Sequence, residues 1–213
     1  MGSATSAPTT TTTVWTNDPT IRVRPSVRNT SRTLPPPPQT TKAPATTSGD
    51  LSATSQPVPP GWVPTTAPGN VHAGQARDPH YAAWEAMMTG CAPVDRRRWI
   101  DPTHAFQLTM TKAERPGVGV MLQFGNRGAA ELYQGELAAQ LRACPGRPTG
   151  GSPGVTTIEN SPGRWIGRRS YADGGVWAEV IVVKSNVVRL WILQDAGAST
   201  PAQLRALADQ LSA

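Results

Sequence analysis

The sequence predicts an α+β fold: an antiparallel sheet of about six strands with helices packed on one face, behind a disordered N-terminal tail. Three observations lead there. Thr, Pro and Ser fill 37 of the first 75 positions. Such a segment buries too little apolar surface to offset the roughly 1–2 kcal/mol per residue lost on ordering a backbone. Residues 76–213 are close to the commonest domain size and can close one core. Within them, short alternating apolar stretches are broken by three segments whose apolar spacing is helical.

Residues 1–75 read as a linker or stalk. Thr9–Thr13 is a threonine run, and Pro35–Pro38 favours polyproline II, a semi-extended spacer. Arg32–Pro38 fits the basic-plus-PxxP pattern of SH3 ligands, a match common by chance in such linkers. Asn29-Thr30-Ser31 is a formal glycosylation sequon.

The domain opens at Asp78-Pro79, an N-cap followed by proline at the first helical position. Tyr81, Trp84 and Met88 follow at helical spacing as packing groups, and Gly90 ends the helix. Asp95–Trp99 is a short basic loop, either solvated surface or a contact for an anion or lipid headgroup. Ala105–Thr111 alternates as a strand with one wet face. Glu114-Arg115-Pro116-Gly117 reads as a turn, and Val118–Phe124 as the partner strand. Asn126 then caps a helix over Arg127–Ala143, with Ala130, Tyr133, Leu137 and Leu141 on one stripe. Val155–Glu159 and Arg164–Tyr171 are strands around Ser161-Pro162-Gly163. Ser199-Thr200-Pro201 starts a last helix whose stripe is Leu204, Leu207, Ala208 and Leu211.

The best-patterned stretch is Val176–Leu193, two β-branched runs around Lys184-Ser185-Asn186. A three-residue loop with Asn186 in the left-handed region places Val183 opposite Val187 and Val182 opposite Val188. One face is then wholly apolar. The other carries Trp177, Glu179 and Ile181 beside Arg189, Trp191 and Leu193. A two-residue loop would slip the register by one and put Glu179 among the core residues; the three-residue loop is preferred for that reason.

Charge narrows the function classes. The formal +6 divides evenly between tail and domain, and a domain at +3 with interspersed signs indicates solubility, not a nucleic-acid footprint. No H-E-x-x-H or P-loop is present, and the acidic residues of the domain lie singly. His72, His80 and His104 are scattered. The expectation is a non-enzymatic protein with no catalytic residues, no metal and no cofactor. The two cysteines, Cys91 and Cys144, form no CxxC or Cys/His cluster. Beside a Thr/Pro-rich stalk an even cysteine count favours export and a bridge. No signal-like or 18-residue apolar run occurs, so a membrane tether or signal is expected outside this chain.

The mixed face of the last hairpin is the candidate ligand site. Trp177, Glu179, Arg189 and Trp191 form it, and Trp165 and Arg169 (with Tyr171) extend it along the preceding strand. Aromatics around one carboxylate and one guanidinium suit a binding cleft. They equally suit a sheet face covered by a helix, with one Glu–Arg pair at its edge.

A helix before the first cysteine, the run GVGVMLQFGNRGAAELYQGELAAQLRACPG, Trp165, the strand ending VIVVKSNVVRL and the final AQLRALADQL resemble the PknH-like extracellular sensor domain of actinobacterial Ser/Thr kinases and lipoproteins. The resemblance covers about residues 78–213. It implies an extracytoplasmic α+β domain with a ligand cleft and a disulfide at positions matching Cys91 and Cys144. It also implies a second disulfide with one arm just before the last hairpin, where this chain has Trp177 nearby and no cysteine. The resulting expectation is a sensor or ligand-binding domain for a small molecule, lipid or glycan of the cell envelope. The alternative is a protein-interaction module of anti-sigma or envelope-assembly type.

Overall fold

The computed structural model describes residue 51 and residues 57–65, 74–195 and 197–213. The threonine run, Pro35–Pro38, the sequon at Asn29 and His72 lie outside the described residues. Eight strands form one antiparallel sheet: β1 (Val63–Pro64), β2 (Gly74–Arg77), β3 (His104–Lys112), β4 (Arg115–Gln123), β5 (Gly154–Ser161), β6 (Arg164–Ser170), β7 (Val176–Lys184) and β8 (Val187–Gln194). Their order is β1-β3-β4-β8-β7-β6-β5, and β2 pairs with β3 beside β1. Three helices complete the α+β fold: α1 (Pro79–Met87), α2 (Arg127–Arg142) and α3 (Pro201–Ser212). The strand count exceeds the expected six because β1 lies in the stretch read as linker and β2 straddles its boundary at residue 75. Neither has a periodic apolar pattern of its own; both are held by pairing to β3.

The helices start where their caps direct. The Asp78 side chain accepts from the Tyr81 amide at 2.8 Å, and Asn126 from Ala129 at 2.9 Å. Thr200 and Gln203 form a reciprocal capping box at the start of α3. The expected stripes of α2 and α3 are buried. That of α1 is not. Ala82, Ala83, Ala86 and Met87 face the core, while Tyr81 and Met88 are exposed and Trp84 lies under the Arg96 guanidinium at 5.7 Å. A small-residue face lets this helix lie close to its neighbours, Trp84 packs partly buried at the edge of the core, and Tyr81 takes the outer side.

Both hairpin turns differ from expectation in the same way. Lys112 pairs with Arg115, so the β3–β4 turn is Ala113-Glu114, both at positive φ (47° and 66°), as a type I′ turn requires. Lys184 pairs with Val187, so the β7–β8 loop is the two residues Ser185-Asn186, with Ser185 at φ 54°. The three-residue loop is therefore corrected, and β8 is displaced by one residue against β7. Val183 faces Val188 and Val182 faces Arg189.

That displacement makes sense because both faces of the sheet are covered, which corrects the expectation of helices on one face. Ile181, Val188 and Leu190 join Trp165, Leu122 and the buried sides of α1 and α2. Ala178, Val180, Val182, Trp191 and Leu193 join Ile166, Met110 and the stripe of α3. Leu51 is also buried in this second cluster. On the first face, α1 and α2 are bridged by the Cys91–Cys144 disulfide, with Cα atoms 4.8 Å apart. A Cβ on Gly90 would meet Gln140 at 2.4 Å, so the absent side chain is what lets the end of α1 approach α2 closely enough for the bridge. No helix among the described residues is long and apolar enough to cross a membrane.

Candidate functional site

The one-residue displacement divides the expected site between two faces. Trp165, Arg169, Trp177 and Glu179 lie on the face covered by α1 and α2, and Arg189 and Trp191 on the face covered by α3. Glu179 is opposite Ile192 instead of Trp191. Its carboxylate is buried and takes two hydrogen bonds from Arg169: Nε to Oε1 at 2.5 Å and Nη2 to Oε2 at 3.2 Å. The third guanidinium nitrogen of Arg169, Nη1, donates to the Thr89 carbonyl at 2.5 Å, two residues before Cys91. Burial opposes the charge on Arg169, but the hydrogen bond and charge of Glu179 outweigh it and hold the guanidinium pKa above its ordinary value. A bidentate pair stitched to a helix end is a structural anchor.

The tryptophans are walls of the core. Trp165 and Trp191 are fully buried, and neither indole N–H has a hydrogen-bond partner. Gly167 is the neighbour that makes room for Trp165, since a Cβ there would meet the indole ring at 2.3 Å. Trp177 is half-buried opposite Arg169. On the other face Arg189 donates to the Leu211 carbonyl at 2.5 Å, tying β8 to the end of α3, and burial lowers its pKa. None of these six side chains lines the cavity found beside α3.

That cavity opens on the α3 face, between residues 59–62, the β3–β4 turn, the end of β8 and α3. Its volume is about 320 Å³, within the range of small-ligand sites. Leu193, Leu204 and Leu207 are its buried apolar lining, and Pro59, Pro60 and Trp62 form one wall. Trp62 sits where a Gly117 side chain would be, a Cβ there falling 2.7 Å from the indole ring. Gln194, Ser199, Gln203 and Gln210 supply neutral polar groups, and Lys112 and Arg115 stand at the strand ends. The buried carboxylate in the lining belongs to Asp195. Its oxygens accept from the Gly197 amide at 2.9 Å and the Ser199 amide at 3.3 Å, closing the loop into α3.

No family model matches this chain, and no curated protein matches it. Among solved structures, the extracellular domain of PknH from Mycobacterium tuberculosis is similar to it. The match has 17% sequence identity and a TM-score of 0.40, covering 52% of this chain and 62% of that one. This chain thus matches less than two thirds of that domain's length.

Three cavity groups carry little local signal in the sequence. Trp62 lies in a proline-rich stretch with no periodicity. Local pattern puts Arg115 inside a turn and Lys112 beyond a strand; they meet only because the true turn is Ala113-Glu114. Two cations flanking a two-residue turn was the available signal. Among the described residues no three His, Cys, Asp or Glu side chains gather as a metal-holding group.

Proposed function

We propose that this chain is an extracytoplasmic, non-enzymatic sensor or ligand-binding domain that takes an envelope-derived small molecule in the cavity between α3, β8 and residues 59–62. The observation that carries the reading is the cavity itself: about 320 Å³ with an apolar lining and a few polar groups at its margin. A concave, partly open cavity favours a small ligand over the broad flat patch that a protein partner would need. The lining holds a serine but no histidine, and its single buried carboxylate is engaged by two backbone amides, which supports binding without catalysis. The disulfide between Cys91 and Cys144 supports an oxidising, extracytoplasmic setting.

The test is a cavity-filling variant. Ala206 is exposed on α3 and lines the cavity, so Ala206→Trp adds bulk there without entering the core. Ten-carbon amphiphiles with charged and neutral heads should bind the wild-type chain in titration calorimetry, and the variant should lose that binding while keeping its far-UV spectrum. Equal binding by both proteins, or by neither, refutes the reading.

A further inference from the structure

Lys112 and Arg115 are directly opposite each other in the β3–β4 ladder, with their side chains on the α3 face beside the cavity. Like charges in this position repel and destabilise a hairpin end. Among the described residues no carboxylate lies within ion-pair distance of either. Arg115 donates through Nη1 to the backbone carbonyl of Asp195 at 3.2 Å, which fixes the guanidinium at the cavity margin without neutralising it. The Lys112 stem runs past Gly61, where a Cβ would sit 3.3 Å from Cε, so the lysine is held against the same wall that carries Trp62. The Asp195 carboxylate turns its oxygens toward the Gly197 and Ser199 amides. Glu114, in the turn between the two cations, forms no ion pair among the described residues.

From this juxtaposition we infer that the cavity binds an anionic amphiphile: a carboxylate or phosphate head between Lys112 and Arg115, and an apolar body against Leu193, Leu204, Leu207 and Trp62. The inference rests on the ligand-binding reading above and adds the chemistry of the ligand. An anion shared by the two cations relieves their repulsion, and the leucine lining gives an apolar chain a place that water fills poorly. A free anion would satisfy the cations and leave that lining unused, so chain and head should act together.

The experiment compares decyl phosphate, decyl maltoside and inorganic phosphate by titration calorimetry on the full chain, the Lys112→Gln/Arg115→Gln variant and Ala206→Trp. Decyl phosphate should bind the wild-type chain about tenfold or more tightly than decyl maltoside at low salt, with the gap narrowing as salt screens the head. The double variant should lose that advantage, its affinity for decyl phosphate falling to its own affinity for decyl maltoside. Inorganic phosphate should bind far more weakly than decyl phosphate. Equal affinity of the wild type for both decyl compounds overturns the anionic head while leaving the ligand-binding reading standing. Phosphate binding as tight as that of decyl phosphate overturns the amphiphile in favour of a free anion. Failure of both decyl compounds removes the ligand-binding reading itself.

Discussion

Glu179→Gln keeps the outline of the side chain and removes its charge. The Arg169 guanidinium, 4% exposed, is then left in the core with its third nitrogen still bound to the Thr89 carbonyl and no counter-charge. Breaking a buried ion pair at one partner costs about 3–5 kcal/mol, because the remaining ion keeps its desolvation penalty. For a chain of this size each kcal/mol moves Tm by about 2–4 °C, so the variant should melt roughly 6–20 °C below the wild type. Thermal unfolding followed by far-UV circular dichroism, with urea titration as a second measure, reads the effect. A companion variant separates charge from packing: Arg169→Met/Glu179→Leu removes both ions and fills a similar volume, and should recover much of the loss. A Glu179→Gln melting point within 2 °C of wild type would show that the pair is not an anchor. So would a double variant that is worse than the single one.

Other outcomes follow from groups already described. The Tyr133 hydroxyl is buried and donates to the Ala83 carbonyl at 2.8 Å; burial, then the charge of Asp101, raises its pKa above the ordinary tyrosine value. The folded state therefore holds this proton more tightly than the unfolded chain, and the resulting stability is whole below about pH 10 and is lost as pH rises beyond it. Tyr133→Phe should cost about 1 kcal/mol at neutral pH and flatten that alkaline decline in urea midpoints. Replacing both Cys91 and Cys144 by Ala opens a loop of 53 residues and should cost about 4 kcal/mol in the chain-entropy model. Intact mass after alkylation, with and without reductant, checks that the bridge forms in the purified chain. Ala113→Asn with Glu114→Gly relieves two left-handed residues and should raise stability by about 1 kcal/mol, read as a higher urea midpoint at unchanged slope.

Much of the fold was legible because local signals and tertiary packing agree in it. Asn126 and Thr200 cap the helices they appeared to cap, and Tyr133, Leu137, Leu204 and Leu211 are buried as their spacing implied. The last hairpin differs by one residue from the register its local pattern favours, for a physical reason. Period-two patterning specifies register only when one face is wet. Here α3 covers the second face, so Val180 and Val182 on one side and Ile181 and Val183 on the other are all apolar and both registers look equally good. In local pattern a lone Glu179 breaks the tie toward the register that gives it solvent. It is instead buried against Arg169, a partner ten residues away that local pattern could not assign to it. The cavity was illegible for a related reason. Trp62 gains its place from the missing side chain of Gly117 and from β1 pairing with β3, both of them contacts distant in sequence.

One wall of the cavity, residues 59–62, belongs to a segment fastened by the two β1 rungs, by the Trp62 amide bonded to the Pro59 carbonyl at 3.0 Å, and by the indole seated over Gly117. The other walls belong to the body of the sheet and to α3. Tension on the chain ahead of Leu51 would meet that buried side chain first and the binding wall next, ahead of the strands that follow β1. By reciprocity, an occupant seated against Trp62 raises the force needed to peel the wall away, and a steady pull loosens the occupant by the same free energy. Occupancy and mechanical load are two handles on one latch.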